Sequence, residues 1–188
     1  MNIGLCITGS FCTYEKIKKV ISSLLQHGNN VIPILSNSVL TTDTMFGKAK
    51  DFIKDLKELT GNDIISNIVQ AEPLGPKNAI DVLVVAPCTG NTLSKLANGI
   101  SDDGVTMSAK AHMRNYKPLI LAISTNDALG LNMKNLATMM NAKNVYLVPF
   151  EQDDPVKKPK SLISNLDLLE PTIEKALKGE QIQPVIIK

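Results

Sequence analysis

Short apolar runs, each closed by a small polar loop, set the strongest limit on what this chain can fold into. They lie at residues 3–7, 31–35, 82–86, 119–123 and 145–148. A run that is apolar at every position suits a strand covered on both faces, as in a parallel sheet between two helical layers. Between the runs the period changes. Ile17, Val20, Ile21, Leu24 and Leu25 recur at helical spacing, and Gly28 supplies a residue that can close such a helix. Further helices are predicted over 46–59, with Phe46, Ile53, Leu56 and Leu59 inward, and over 92–98, closed by Gly99. Others follow over 107–113, 132–140 and 168–177, the last with Pro171 in its tolerant first turn.

Some segments read differently. Pro33 has no N–H for a ladder, which places the second strand toward a sheet edge. Residues 64–69 suit either a helical turn or a further strand, and Glu72-Pro73-Leu74-Gly75-Pro76 reads as a rigid turn. Residues 151–160, rich in Asp, Lys and Pro, are expected to form an exposed loop, and 181–188 to run extended. The strand–helix rhythm implies right-handed crossovers and an α/β fold. The expected architecture is a Rossmann-like three-layer sandwich: a central, mostly parallel sheet with helices on both faces. At 188 residues the chain suits one domain, 1–188, with an extended C-terminal segment from about 151.

Composition narrows the function classes. The net charge of +2 comes with no basic block, and only 4% of residues are aromatic, none of them Trp. A nucleic-acid partner is therefore not expected. No apolar run approaches the roughly 20 residues that span a bilayer, and no basic-then-apolar leader precedes the first run, so no membrane role is expected. Cys6, Cys12 and Cys88 are odd in number and follow no metal-ligand spacing, which points to a reducing, cytoplasmic setting and no metal.

In such sheets ligands bind beyond the carboxyl ends of the strands, near the topological switch point. Four polar loops are predicted there, at 8–13, 36–38, 87–92 and 124–127. The first, Thr8-Gly9-Ser10, matches neither the dinucleotide glycine fingerprint nor the P-loop. Gly9 still permits close backbone approach, and Ser10 and Thr13 can donate hydroxyl hydrogen bonds beside a helix start, enough for one phosphate. Simple N-capping by Ser10 or Thr13 is the alternative. In the third loop, Asn91 offers an amide that can meet a ring edge or a carboxylate; helix capping by Thr89, Asn91 or Thr92 is again the alternative. The cysteines read as packed thiols. Lys110, His112 and Arg114 form a basic stretch that suits either an anionic substrate or a solvated helix end, and Lys157, Lys158 and Lys160 read as solvated.

The segments Thr8-Gly9-Ser10, Pro87-Cys88-Thr89-Gly90-Asn91-Thr92 and Leu96-Ala97-Asn98-Gly99 resemble the flavoprotein family of FMN-dependent cysteine decarboxylases and flavin prenyltransferases. Within that family, Thr13-Tyr14-Glu15, Ala71-Glu72-Pro73-Leu74-Gly75-Pro76, the stretch from Ser124-Thr125-Asn126-Asp127 to Asn132, and Val148-Pro149-Phe150 with Gln152-Asp153-Asp154-Pro155 are similar to the dipicolinate synthase B subunits. The resemblance implies FMN, with Gly9, Ser10 and Phe11 at the phosphate. Ser36 or Asn37 would join them, Cys88, Thr89, Gly90 and Asn91 would line the ring or ribityl chain, and Ser124 would fill the fourth loop. It also implies a partner A subunit resembling a dehydrogenase, a cyclic dicarboxylate substrate, and formation of dipicolinate in the mother cell of a sporulating bacterium. A homo-oligomer, trimeric or higher, is implied too. Asn91 is the candidate for the active role. Residues 31–111 contain no histidine, where the decarboxylases of the family use one, and the Arg–Glu pair of the prenyltransferases is missing. A non-catalytic scaffold subunit and a stand-alone decarboxylase are the alternative functions.

Overall fold

The structure is a computed structural model that describes residues 1–187. Strands β1 (Asn2–Ile7), β2 (Asn30–Leu35), β3 (Val82–Cys88), β4 (Leu119–Thr125) and β5 (Val145–Leu147) form a parallel sheet in the order β2-β1-β3-β4-β5. Each run predicted as a strand is one. The sheet alternates its side chains between two cores, as a pleated strand must. Ile3, Leu5 and Ile7 of β1 face one cluster with Val82, Val84, Ile120 and Ala122. Cys6, Leu83, Val85, Leu119, Leu121 and Ile123 face the other.

Each core has its own helical layer. Helices α1 (Tyr14–Gln26), α3 (Ala49–Thr60) and α9 (Leu169–Ala176) cover the first face through Ile17, Ile21, Leu56 and Ile173. Helices α6 (Gly90–Ala97), α7 (Gly104–Met113) and α8 (Met133–Met140) cover the second through Leu93, Val105, Ala109 and Leu136. This is the expected three-layer α/β sandwich. Gly28 and Gly99 have φ of 77° and 70°, the left-handed geometry that closes the helices before them. Pro33 does lie on the edge strand, where its carbonyl accepts from Ile65 N at 3.0 Å.

Several expectations are corrected. Residues 151–160 are not a loop: β6 (Phe150–Asp154) and β7 (Lys158–Ser164) form an antiparallel hairpin, and β7 pairs with the end of β4 through Ser124↔Ile163 and Thr125↔Leu162. The charged tip disguises it, because only the inner half of β7 is buried. The predicted helix over 46–59 begins at Ala49, and Phe46 stands 60% exposed in the preceding loop. The polar loop at 36–38 contains the start of a short helix, α2 (Asn37–Thr41), and the proline-bounded turn contains a one-turn helix, α5 (Leu74–Lys77). Residues 64–69 combine both alternatives: Ile65 bridges to Ile34, and α4 (Ile68–Ala71) follows. The C-terminal segment is extended through a single bridge, Phe150↔Ile186; Lys188 lies outside the described residues. Among the described residues no helix is long and apolar enough to cross a membrane.

Candidate functional site

The chain runs from β1 to β2 in one direction and from β3 to β4 in the other, so the strand order reverses between β1 and β3. A crevice is expected at that point. There the buried Thr8 joins the two strand ends: its Oγ1 donates to Pro87 O at 2.6 Å and accepts from Thr89 N at 3.2 Å. Ser10 follows at the N-cap position of a 3-10 turn, Phe11–Thr13, but its hydroxyl does not cap. It lies 2.8 Å from Ser124 Oγ at the end of β4 instead. Thr13 does not cap either, since its hydroxyl donates back to Ser10 O at 2.7 Å. The N-terminal amides of the turn therefore stay free of side-chain caps. In the third loop the capping alternative holds for Thr89, whose Oγ1 accepts from Thr92 N at 3.4 Å. Asn91 is left exposed on the first turn of α6.

An open cavity of about 660 Å³ lies beyond these strand ends. Of the residues singled out from sequence, Gly9, Ser10, Thr89, Gly90, Asn91 and Ser124 line it. Four do not. Phe11 turns toward Tyr14, ring centroids 5.4 Å apart, and lines a separate cavity of about 120 Å³. Ser36 is buried against Ser38, 3.0 Å between hydroxyls, and Asn37 is exposed on α2. Cys88 is wholly buried in the core with Leu83 and Val85, because a register shift between Val85 and Cys88 breaks the alternation along β3 and turns its side chain to that face. Burial pushes its thiol up to about 12 and raises Cys6 well above the ordinary range, so both are packed thiols. Cys12, by contrast, is exposed and lines the cavity.

The basic stretch lies elsewhere. His112 Nε2 donates to Pro118 O at 2.9 Å, just before β4 begins, and Lys117 sits 3.9 Å from Asp81, just before β3 begins. The cavity is at the opposite ends of these strands, roughly 20 Å away along seven residues of β4. Lys110, His112 and Arg114 are thus not in the site; none of them lines the cavity.

Sequence reasoning placed the 124–127 loop here but gave Asp127 no role, and it missed the hairpin wall. Asp127 sits against Gly90, its Oδ1 accepting from Thr125 Oγ1 at 2.6 Å and its Oδ2 from Asn132 Nδ2 at 2.7 Å. The carboxylate is thereby held beside the N-terminus of α6, where negative charge is favoured. The hairpin adds Asp153, Lys158 and Ser161. Ser124 and Ile163 also belong to a neighbouring cavity of about 550 Å³ that includes Lys16, Lys19 and Glu170. Among the described residues no group of three or more His, Cys, Asp or Glu is placed to hold a metal.

A phosphorylated heterocycle suits this donor set. A Cβ on Gly9 would come 3.0 Å from Ser38 Oγ, so the first two loops are close and the backbone at Gly9 is bare. Hydroxyls from Ser10, Thr89 and Ser124 and the Asn91 amide surround a space of cofactor size.

The Flavoprotein family matches residues 1–167. The chain is 50% identical over 186 residues to the B subunit of the dipicolinate synthase of Bacillus subtilis (strain 168), across 99% of this chain and 93% of that protein. The crystal structure of the dipicolinate synthase B subunit from Bacillus halodurans C superposes with a TM-score of 0.91 at 46% identity, covering 100% of this chain and 96% of that one. Burkholderia xenovorans DmrB, a cubic protein cage for redox transfer solved in complex with FMN, shares the fold at 18% identity and a TM-score of 0.70, with 94% and 95% covered.

Proposed function

The chain belongs to the flavoprotein family, and from that membership we propose that it acts as an FMN-binding subunit of a dipicolinate synthase. In this reading it works with an A subunit to form pyridine-2,6-dicarboxylate from a lysine-pathway dihydro- or tetrahydrodipicolinate precursor. It does so as a homo-oligomer in the cytoplasm of a sporulating mother cell. The observation that carries the reading is the Ser10–Ser124 hydroxyl contact of 2.8 Å across the switch-point cavity. It brings the first loop and the end of β4 together over one ligand space, next to the Thr8 bridge between β1 and β3. The two B-subunit relatives support the choice of reaction, and FMN in DmrB supports the choice of cofactor.

Ser10, with the uncapped amides after it, would hold the phosphate of FMN, and Thr89, Asn91 and Ser124 would line the remainder. Bound FMN would supply a two-electron acceptor for one hydride from a dihydro precursor, which becomes aromatic as it also loses a proton to solvent, while a tetrahydro precursor would need a second such oxidation. The protein's share is placement and exclusion of water. The Asn91 amide is the group we assign to orienting the ring or substrate, since it is exposed to the cavity beside the capped start of α6.

Titration of the purified chain with FMN, followed in the visible spectrum, tests the cofactor. Saturable spectral change is expected, with affinity at least about 10-fold lower for Ser10→Ala, the loss of a hydrogen bond to a charged group. No change at any FMN concentration would remove the cofactor and favour the scaffold role. Dipicolinate formation with the A subunit should fall in Asn91→Ala, and unchanged turnover would strip Asn91 of its role.

A further inference from the structure

The β6–β7 hairpin places one ammonium group on the cavity wall. Lys158 Nζ lies 2.7 Å from Asp153 Oδ2, both side chains line the cavity, and among the described lining residues Lys158 is the only cation. The remaining charges are carboxylates. Asp127 has both oxygens engaged by Thr125 and Asn132, whereas among the described residues Asp153 Oδ2 meets only Lys158 and, at 3.5 Å, the hydroxyl of the buried Ser161.

The hairpin does not depend on this pair for its turn. Asp154 Oδ1 accepts from Val156 N at 3.1 Å and Lys157 N at 2.9 Å, and Gln152 Nε2 donates to Pro159 O at 3.0 Å. The Lys158 and Asp153 side chains are 57% and 31% exposed, so solvent screens them and the pair is readily exchanged.

We propose that Lys158, aided by Ser161, is the carboxylate-binding group of this cavity, and that Asp153 is its internal stand-in, displaced when a dicarboxylate enters. The choice of a dicarboxylate rests on the function proposed above. Asp153 occupies on Lys158 the place a ligand carboxylate would take, and the hydroxyl of Ser161 is positioned for the same oxygen. With Lys158 released from Asp153, a dianion meets one positive group inside a wall that otherwise repels it.

The two variants Lys158→Met and Asp153→Asn should then act in opposite directions. Equilibrium dialysis of pyridine-2,6-dicarboxylate against the full chain, read by the absorbance of the pyridine, measures this directly. Lys158→Met should weaken binding at least about 10-fold, as for a lost charge-assisted hydrogen bond. Asp153→Asn, which removes the competitor, should tighten it several-fold. FMN titrations should be the same for all three proteins. Weaker binding in both variants would make the pair a structural clip and overturn the proposal. So would an unchanged Lys158→Met, or a full chain that binds no dicarboxylate. FMN binding without dicarboxylate binding would defeat this inference alone; dicarboxylate binding with the opposed effects but without FMN would defeat the cofactor reading alone.

Discussion

A Cβ built on Gly90 would lie 2.6 Å from both Asn132 Nδ2 and Thr125 Oγ1 and 2.7 Å from Asp127 Oδ1. The sequence suggests a permissive turn at this glycine. Its actual role is steric: the Asp127 hydrogen-bond cluster packs directly on the backbone at the start of α6. Gly90→Ala should therefore force Asp127, Thr125 and Asn132 apart, at a cost of about 1–3 kcal/mol for an overpacked site. Urea unfolding measures that cost. The FMN titration should show weaker binding in the same variant, because Asn91 and Ser124 flank the displaced group. A variant as stable as the parent would mean that the cluster yields freely. At this scale the polar loop residues were legible because Gly, Ser, Thr and Asn closing an apolar run serve as helix caps or as ligand contacts, and both place them at strand ends. The direction of each side chain was not. Phe11 packs on Tyr14, whose ring is itself stacked on Phe52, and Cys88 joins Leu93 and Ile123 in the core, so both placements involve neighbours remote in sequence.

The hairpin is the element that most changes the picture of the site. Its tip is charged and exposed, and composition there resembles a loop; its root carries Leu162 into the core beside Phe150 and Ile123. Pairing with β4 holds the cavity wall in place, so the wall's stability is that of Leu162's packing. Leu162→Ala should cost about 2–5 kcal/mol, the range for removing a buried leucine side chain. Urea denaturation reads it, and amide exchange of residues 158–164 should quicken selectively if the hairpin loosens before the parallel sheet does. A cost below about 1 kcal/mol would show that the hairpin is not docked on β4 in solution. By contrast, the parallel strands were legible from sequence. Burial on both faces leaves a run of apolar residues whatever the partner strand.

Across the molecule, the candidate site and the basic stretch occupy opposite ends of the strands, and this separates the proposed chemistry from stability. His112 is buried, and desolvation holds it at about 4, below the ordinary 6.5, despite its hydrogen bond to Pro118 O. The unfolded chain therefore takes up a proton that the folded chain refuses. Stability from this residue is fully present above about pH 6.5, is lost as pH falls toward 4, and changes no further below that. The loss is on the order of 3 kcal/mol. His112→Gln retains an amide donor for Pro118 O and removes the titration, so its stability should vary less between about pH 7 and about pH 4 than the parent's. Chemical denaturation at a series of pH values checks this. Parallel curves would show that His112 titrates normally.

The order of the five parallel strands and of the longer helices between them, and the placement of Gly9, Ser10, Thr89, Asn91 and Ser124 at strand ends, were determined by the sequence alone. Periodicity and turn chemistry act over a few residues, so they leave a local record. Only the tertiary structure decided that Ser10 meets Ser124 across 114 residues, that β7 pairs with the end of β4, and that Lys158 faces the cavity. Those contacts form between segments whose own composition does not name a partner. A hydroxyl or an ammonium group is equally satisfied by water until the fold brings its partner within reach.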